Sequence, residues 1–359
     1  MGLKSKANEG ARPAMSQAAR HPARSYGARH PARSDGACHP ARSDGACCRT
    51  RWRLPFPTSF ALIAVAAGLL AGAGTVRWGY HGHEISGRAA GTNLPAGFPV
   101  FFRNTAEHMA YLNPEPDRWR GDGFMELNEA MRYDHYIDFE VIPDSVLAMR
   151  DRFLYLQALQ KIGITNPARD AGLLPFRIVE LYQSLVVEFR LWRREQDLAK
   201  RRMIEQRILN DAGVLGHYVT DGANPHHTSV HHNGWRTDYP NPRGFTTEAG
   251  FHSRFESEFV EASIRMSDIL PHVNASARLI PSDLMRGEVI AYLRRSHSQL
   301  ERLYELDQVA RFGADNHYAA HRQFAVDRLA AGVNMLRDIW WSAWINSETA
   351  PPGSRERGE

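Results

Sequence analysis

The chain has 359 residues, 43% of them hydrophobic, and a net charge of +4, enough apolar residues for a sizeable core in one large domain or two. The charge is unevenly placed: through Arg77, 12 Lys and Arg face three acids (Glu9, Asp35, Asp44), so residues 1–77 carry +9 and the remainder carries −5. This split excludes reading the basic total as a nucleic-acid or membrane footprint of the body, which is mildly acidic. All three cysteines, Cys38, Cys47 and Cys48, also lie in the leader, so an exported body would use no disulfides.

The first element is a repeat. His21–Arg29, His30–Cys38 and His39–Cys47 are nine-residue copies rich in Pro, Gly, Ser and Arg, too short and too polar to bury an apolar face. Residues 1–53 are therefore expected to be disordered. Arg49, Arg51 and Arg53 then precede Phe60–Val76, an uncharged run rich in Ala, Gly and Leu. A basic stretch before a short apolar run suits a secretory signal over 54–77, with cleavage at the Ala71-Gly72-Ala73 motif or before Trp78. The expected location is secreted or periplasmic. An uncleaved segment of that length would instead anchor the chain in a membrane.

From 78 to 359 the apolar residues recur at helical spacing with almost no strand alternation, which predicts a single all-α, multi-helix domain. Asp144, after Pro143, opens a stripe through Ile162 in which Val146, Met149, Phe153, Leu156 and Leu159 recur at three and four. Further stripes run through Leu173–Leu215, Thr247–Leu270, Leu284–Phe312 and Ala319–Ile345. Two long loops, Asn93–Arg103 and Asn224–Phe245, interrupt the pattern, and loops of that size commonly carry function.

Metal-type residues gather in four places. Trp78-Gly79-Tyr80-His81-Gly82-His83 opens the body; Asp117-Arg118-Trp119-Arg120 is followed by Asp134-His135-Tyr136-Ile137-Asp138. In Gly216–His227, His217 and Asp221 are four apart and so share a helix face, while Gly222 and Pro225 stop the helix and let His226 and His227 turn back toward it. His252 and Glu256 repeat the four-residue spacing. Each pair alone is a common surface pattern; His317 and His321 show the same spacing with no partner nearby.

In that order, the motifs Trp-Gly-x-x-Gly-His, Asp…His-Tyr-Ile-Asp, His-x3-Asp-x3-Pro-x-His and His-x3-Asp/Glu resemble the superfamily of zinc-dependent phospholipases C and single-strand-specific zinc nucleases, the mung-bean-type nuclease family. The resemblance runs from Trp78 to Glu256 and implies an all-helical fold with three Zn2+ ions. It implies that Asp117, His135, His217 and Asp221 hold one zinc, and that Asp221 bridges to a second completed by His83 and by the α-amino nitrogen and carbonyl oxygen of Trp78. His227, His252 and Glu256 would hold the third. Asp117 stands eighteen residues before His135, further than the family pattern, which leaves Asp122 as a rival ligand. Arg120 matches a guanidinium that steadies developing charge, against a plain surface arginine. His226, His231 and His232 would either orient ligands or be surface histidines of a polar loop, and His81 would lie near the cleft. Tyr136 and Trp119 read as packing residues.

Imidazole and carboxylate suit zinc, and zinc ions close together suit phosphodiester hydrolysis. The chain thus reads as a secreted zinc-dependent phosphoric diester hydrolase, first a nuclease on single-stranded DNA or RNA. Glu256 leans toward the phospholipase branch, so a phospholipase C on phosphoglycerides is the alternative. With an uncut leader Trp78 has no free amine, and the protein would be a membrane-tethered zinc-binding helical module. No obligate protein partner is evident.

Overall fold

The computed structural model describes residues 79–120 and 123–349, all within one compact unit, Leu70–Glu359. The repeat leader, the signal segment, Trp78 and Asp122 lie outside the described residues. Among the described residues the chain is helical, with isolated bridges Ile137–Gly172 and His232–Gly234 in place of strands. None of these helices is long and apolar enough to cross a membrane.

The frame is built by α1 (Tyr80–Gly91), α2 (Ala106–Leu112), α3 (Leu174–Arg194), α4 (Leu198–Asp221), α5 (Met285–His297) and α6 (Ala319–Asn346). In α3, Pro175 starts the first turn, where its missing N–H is harmless, and Ile178, Leu181, Tyr182, Leu185 and Phe189 form the buried stripe. Helix α4 packs on α3, α6 and α2, and α1 on α2 and α6. Trp340 of α6 is fully buried at their meeting point and donates its Nε1 proton to the Ala212 carbonyl oxygen at 3.2 Å.

Two expected stripes divide at acidic caps. Leu173–Leu215 is two helices, because Asp197 accepts from the amides of Ala199 and Lys200 at 2.8 and 3.2 Å and starts α4 afresh. Such a cap contributes about 1 kcal/mol. Asp151 likewise caps a new helix at Arg152–Lys161, breaking the Val146–Ile162 stripe. The phase also differs: Phe153 is 69% exposed, while Tyr155 and Leu159 are buried. Leu284–Phe312 divides into α5 and Leu300–Val309, and Thr247–Leu270 into several short turns, whereas α6 is one uninterrupted helix.

Three helices approach more closely than side chains normally allow. A Cβ on Gly87 of α1 would lie 2.5 Å from the Met109 carbonyl oxygen, and one on Gly216 of α4 would lie 2.5 Å from Asn113 Nδ2. Glycine at both positions lets α2 nest against α1 and α4 together. The C-terminal end of α2 is thereby delivered to the end of α4 that carries His217 and Asp221.

Candidate metal centre

From Ala212 to Asp221, α4 is buried on every side. The helix ends at Asp221, with Gly222 as its cap, and Pro225–Thr228 forms a 3-10 turn that brings His227 back over the helix end, as the sequence predicts. Burying carboxylates and imidazoles is costly unless they are paired or hold a cation. Here they converge into three groups able to hold metal ions: His83, His217 and Asp221; Asp117, His135 and His217; and His227, His252 and Glu256.

In the first two groups His217 Nε2 lies 3.2 Å from Asp221 Oδ2 and 3.0 Å from His135 Nδ1, which is itself 3.0 Å from Asp221 Oδ2. Asp117 Oδ1 is 4.0 Å from His217 Nε2. The other carboxylate oxygen of Asp221, Oδ1, faces His83 Nε2 at 3.3 Å and His227 Nε2 at 3.8 Å. One carboxylate thus presents each oxygen to a different group. In the third group His227 Nε2 is 3.2 Å from His252 Nε2 and 3.4 Å from Glu256 Oε2, with His252 Nε2 to Glu256 Oε2 at 2.5 Å.

The outward nitrogens explain why these atoms act as acceptors. His217 Nδ1 donates to the Asn113 carbonyl oxygen at 2.9 Å, His83 Nδ1 to Asn113 Oδ1 at 2.9 Å, and His227 Nδ1 to the His135 carbonyl oxygen at 2.7 Å. Each bond fixes the proton on Nδ1 and aims the Nε2 lone pair inward, the outer arrangement typical of metal-binding histidines. His135 is reversed: its Nδ1 faces the cluster and its buried Nε2 has no hydrogen-bond partner among the described residues. Lone pairs crowded at 3.0–3.4 Å repel unless a proton or cation sits among them. The edge of a tetrahedron with zinc–nitrogen bonds of about 2.1 Å is about 3.4 Å, close to the separations of His83 from Asp221 and of His227 from His252 and Glu256, 3.3, 3.2 and 3.4 Å.

The electrostatics agree. Burial alone would raise the Asp221 pKa, but His217, His227 and the His135 hydrogen bond outweigh it and hold the carboxylate well below its ordinary range. Burial would lower His227, but Asp221 and Glu256 overcome it and lift the imidazole to about 9. His135 is pushed down to about 4, by burial first.

A cavity of about 570 Å³ opens over these groups, with Asp117, His135, Asp221, His227, His252 and Glu256 in its lining. Arg120, Arg132 and Arg169 also reach it, and Arg120 NH1 is 3.4 Å from Asp117 Oδ1. The first two groups lie on α1, α4 and the turns around Asp117 and His135. The third is carried on shorter pieces: His252 on Phe251–Ser253 and Glu256 on a π-helix, Arg254–Phe259. The π-turn still leaves residues four apart on one face, and such turns are frequent at functional sites. Gly79, the first described residue, abuts this group, since a Cβ there would lie 3.3 Å from the Glu256 carbonyl oxygen.

Other residues singled out in the sequence have structural partners. His81 donates to the Ile264 carbonyl oxygen at 3.0 Å, and His321 is buried with Nε2 2.8 Å from the carbonyl oxygens of both Leu306 and Ala310, while His317 is exposed. His231 stacks on Trp235 at 3.8 Å. His226 is buried against Phe251 and the His252 ring without a hydrogen bond to either nitrogen, and His232 lines the cavity. Trp119 donates to Glu115 Oε1 at 3.2 Å; Tyr136 donates to the Arg169 carbonyl oxygen at 2.6 Å and is among the residues lining the cavity.

Two supporting residues carry no spacing signal in the sequence. Asn113 holds both His83 and His217, and Asn224 donates from Nδ2 to Glu256 Oε2 at 2.9 Å. Compared with known proteins, the chain matches no family model, no curated protein and no solved structure.

Proposed function

We propose that this protein is a zinc-dependent phosphoric diester hydrolase, and that its cavity takes a phosphodiester of single-stranded nucleic acid. The observation that carries the reading is the split engagement of Asp221, whose Oδ2 meets His135 and His217 while Oδ1 meets His83 and lies near His227. A shared carboxylate suits ions placed close together. Ions there would neutralise a phosphodiester and ease ionisation of a water at neutral pH.

The chain's own groups complete the arrangement. Arg120, steadied by Asp117, presents a guanidinium to the cavity, where it can donate to non-bridging phosphoryl oxygens. Arg132 and Arg169 add positive charge around the opening of an otherwise acidic body. That placement suits a polyanion better than a zwitterionic phosphoglyceride with one phosphate, which favours the nuclease reading over phospholipase C. The sequence resemblance to the zinc nuclease and phospholipase C superfamily, with three zinc ions and Trp78 as a ligand, supports the same assignment.

The deciding experiment counts zinc per chain and assays the secreted protein on single-stranded DNA, RNA and phosphatidylcholine in parallel. Activity on the nucleic acids, abolished by a chelator and restored by zinc, is expected. Turnover that persists without bound metal would sink the reading, and hydrolysis of phosphatidylcholine alone would move it to the phospholipase.

A further inference from the structure

A second cavity, of about 520 Å³, adjoins the first, and Asp138, Arg169 and His232 line both. Its apolar part is Val141, Ile164 and Val230, and Asp170, Arg236 and Tyr239 line it as well. Both arginines are aimed by the acid beside them. Arg169 Nε donates to Asp170 Oδ1 at 2.7 Å; Arg236 donates to Asp238 through Nε at 2.9 Å and NH2 at 2.5 Å. These bonds orient the guanidinium groups without hiding them, since the side chains stay 55% and 48% exposed. A guanidinium has five donors, so each retains N–H groups for a ligand. Asp138, in the shared wall, is buried and its Oδ1 has no hydrogen-bond partner among the described residues.

We propose that this second cavity is a subsite for the phosphodiester next to the one at the metal groups, so that the protein engages consecutive phosphates of one strand. The inference rests on reading the first cavity as a phosphodiesterase site. Arg169, common to both cavities, lies where the chain of a polymer would pass from one to the other, and Arg236 receives the neighbouring phosphate. Phosphatidylcholine carries a single phosphodiester and long acyl chains, and has no second anion for a pocket that holds two arginines. The subsite thus selects a polymer by its repeat, a property that the metal groups cannot supply.

The test compares the full chain with Arg236→Gln, Arg236→Lys and Thr165→Glu. Thr165 is exposed on the far loop of the same cavity, so its substitution adds a repelling carboxylate without disturbing the Arg236–Asp238 pair. With zinc bound, KM for a single-stranded oligonucleotide should rise about tenfold in Arg236→Gln and Thr165→Glu while kcat holds, with partial recovery in Arg236→Lys. KM for bis(p-nitrophenyl) phosphate, which has no second phosphate, should change far less. Binding of a cleavage-resistant phosphorothioate oligonucleotide gives a separate readout. The slope of log affinity against log salt should become shallower by about 0.7 in Arg236→Gln, the loss of one single-strand phosphate contact. Equal shifts for both substrates, or an unchanged salt slope, would overturn the subsite. Failure of the zinc-loaded wild type to hydrolyse either substrate would instead overturn the phosphodiesterase reading beneath it, and a preference for phosphatidylcholine vesicles unaltered by the variants would replace the polymer by a lipid.

Discussion

The two sides of the candidate metal centre are built differently. The His83, His217 and Asp221 side stands on long helices, and Asn113 of the nested α2 end holds two of its imidazoles at once. The His227, His252 and Glu256 side stands on a 3-10 turn and a π-helix. Its Glu256 carboxylate is steadied by Asn224, and His252 is 23% exposed in its side chain where His217 is fully buried. The first side derives its geometry from a rigid frame, the second from local turns and one amide. Metal should therefore be lost more readily from the second.

The largest effect should come from the residue of the first side that also reaches toward the second, its Oδ1 lying 3.8 Å from His227 Nε2. Asp221→Asn removes the one negative charge that His83, His135, His217 and His227 face, and activity should fall by at least about a thousandfold, with metal content reduced at more than one group, as read by elemental analysis and steady-state kinetics. Full turnover in this variant would separate the two sides altogether. Asn224→Ala should act on one side only: the affinity of the weakest-held metal should drop about 10–100-fold, measured by competition with a chromogenic chelator, while the tighter metal stays.

Gly216→Ala probes the other side through packing. The added methyl meets Asn113 Nδ2 at 2.5 Å, so the Asn113 amide, which holds His83, or the α2 end that carries it must move. A loss of about 1–3 kcal/mol is expected, seen as a Tm lower by roughly 2–4 °C per kcal/mol in a domain of this size. An unchanged Tm would mean that the helices are less tightly nested than described.

The pH dependence should differ as well. In the metal-free protein His227 is protonated below about 9, because Asp221 and Glu256 outweigh its burial, so a metal must displace that proton. Affinity at the turn-built side should climb with pH through the 6.5–9 window and flatten above it. On the helical side His135, already neutral above about 4, contributes no such slope, while His217, lowered by burial but raised overall by Asp221 and Asp117, contributes one of its own. Calorimetry in buffers of different ionisation enthalpy would count the protons released, and zero release at neutral pH would contradict the placement of His227.

The helical frame was legible because amphipathic spacing over many turns leaves few alternatives, and α6 follows its stripe from end to end. The divisions at Asp151 and Asp197 were not. There a single capping carboxylate overrode an apolar rhythm that continued through it. Within the site, His217 and Asp221 were readable from a four-residue spacing ended by Gly222 and Pro225. The choice of His227 over His226 came from the resemblance, and His227 is the one that joins the cluster. Asn113 and Asn224 escaped because a supporting amide has no required spacing from the imidazole or carboxylate it holds. Their partners are set by how α2 and the Asn224 turn pack, which is information spread over the whole fold.

The nesting of α1, α2 and α4 also settles where this protein can be re-engineered. With glycine already at Gly87 and Gly216 there is no smaller residue left to install, so the helical wall of the cleft can be neither widened nor moved without dismantling it. The second cavity's residues Thr165, Arg236 and Tyr239 stand on loops instead of nested helices, with Gly234 the tight position beside Arg236. A designer seeking a new substrate should randomise those three positions and leave the helices alone.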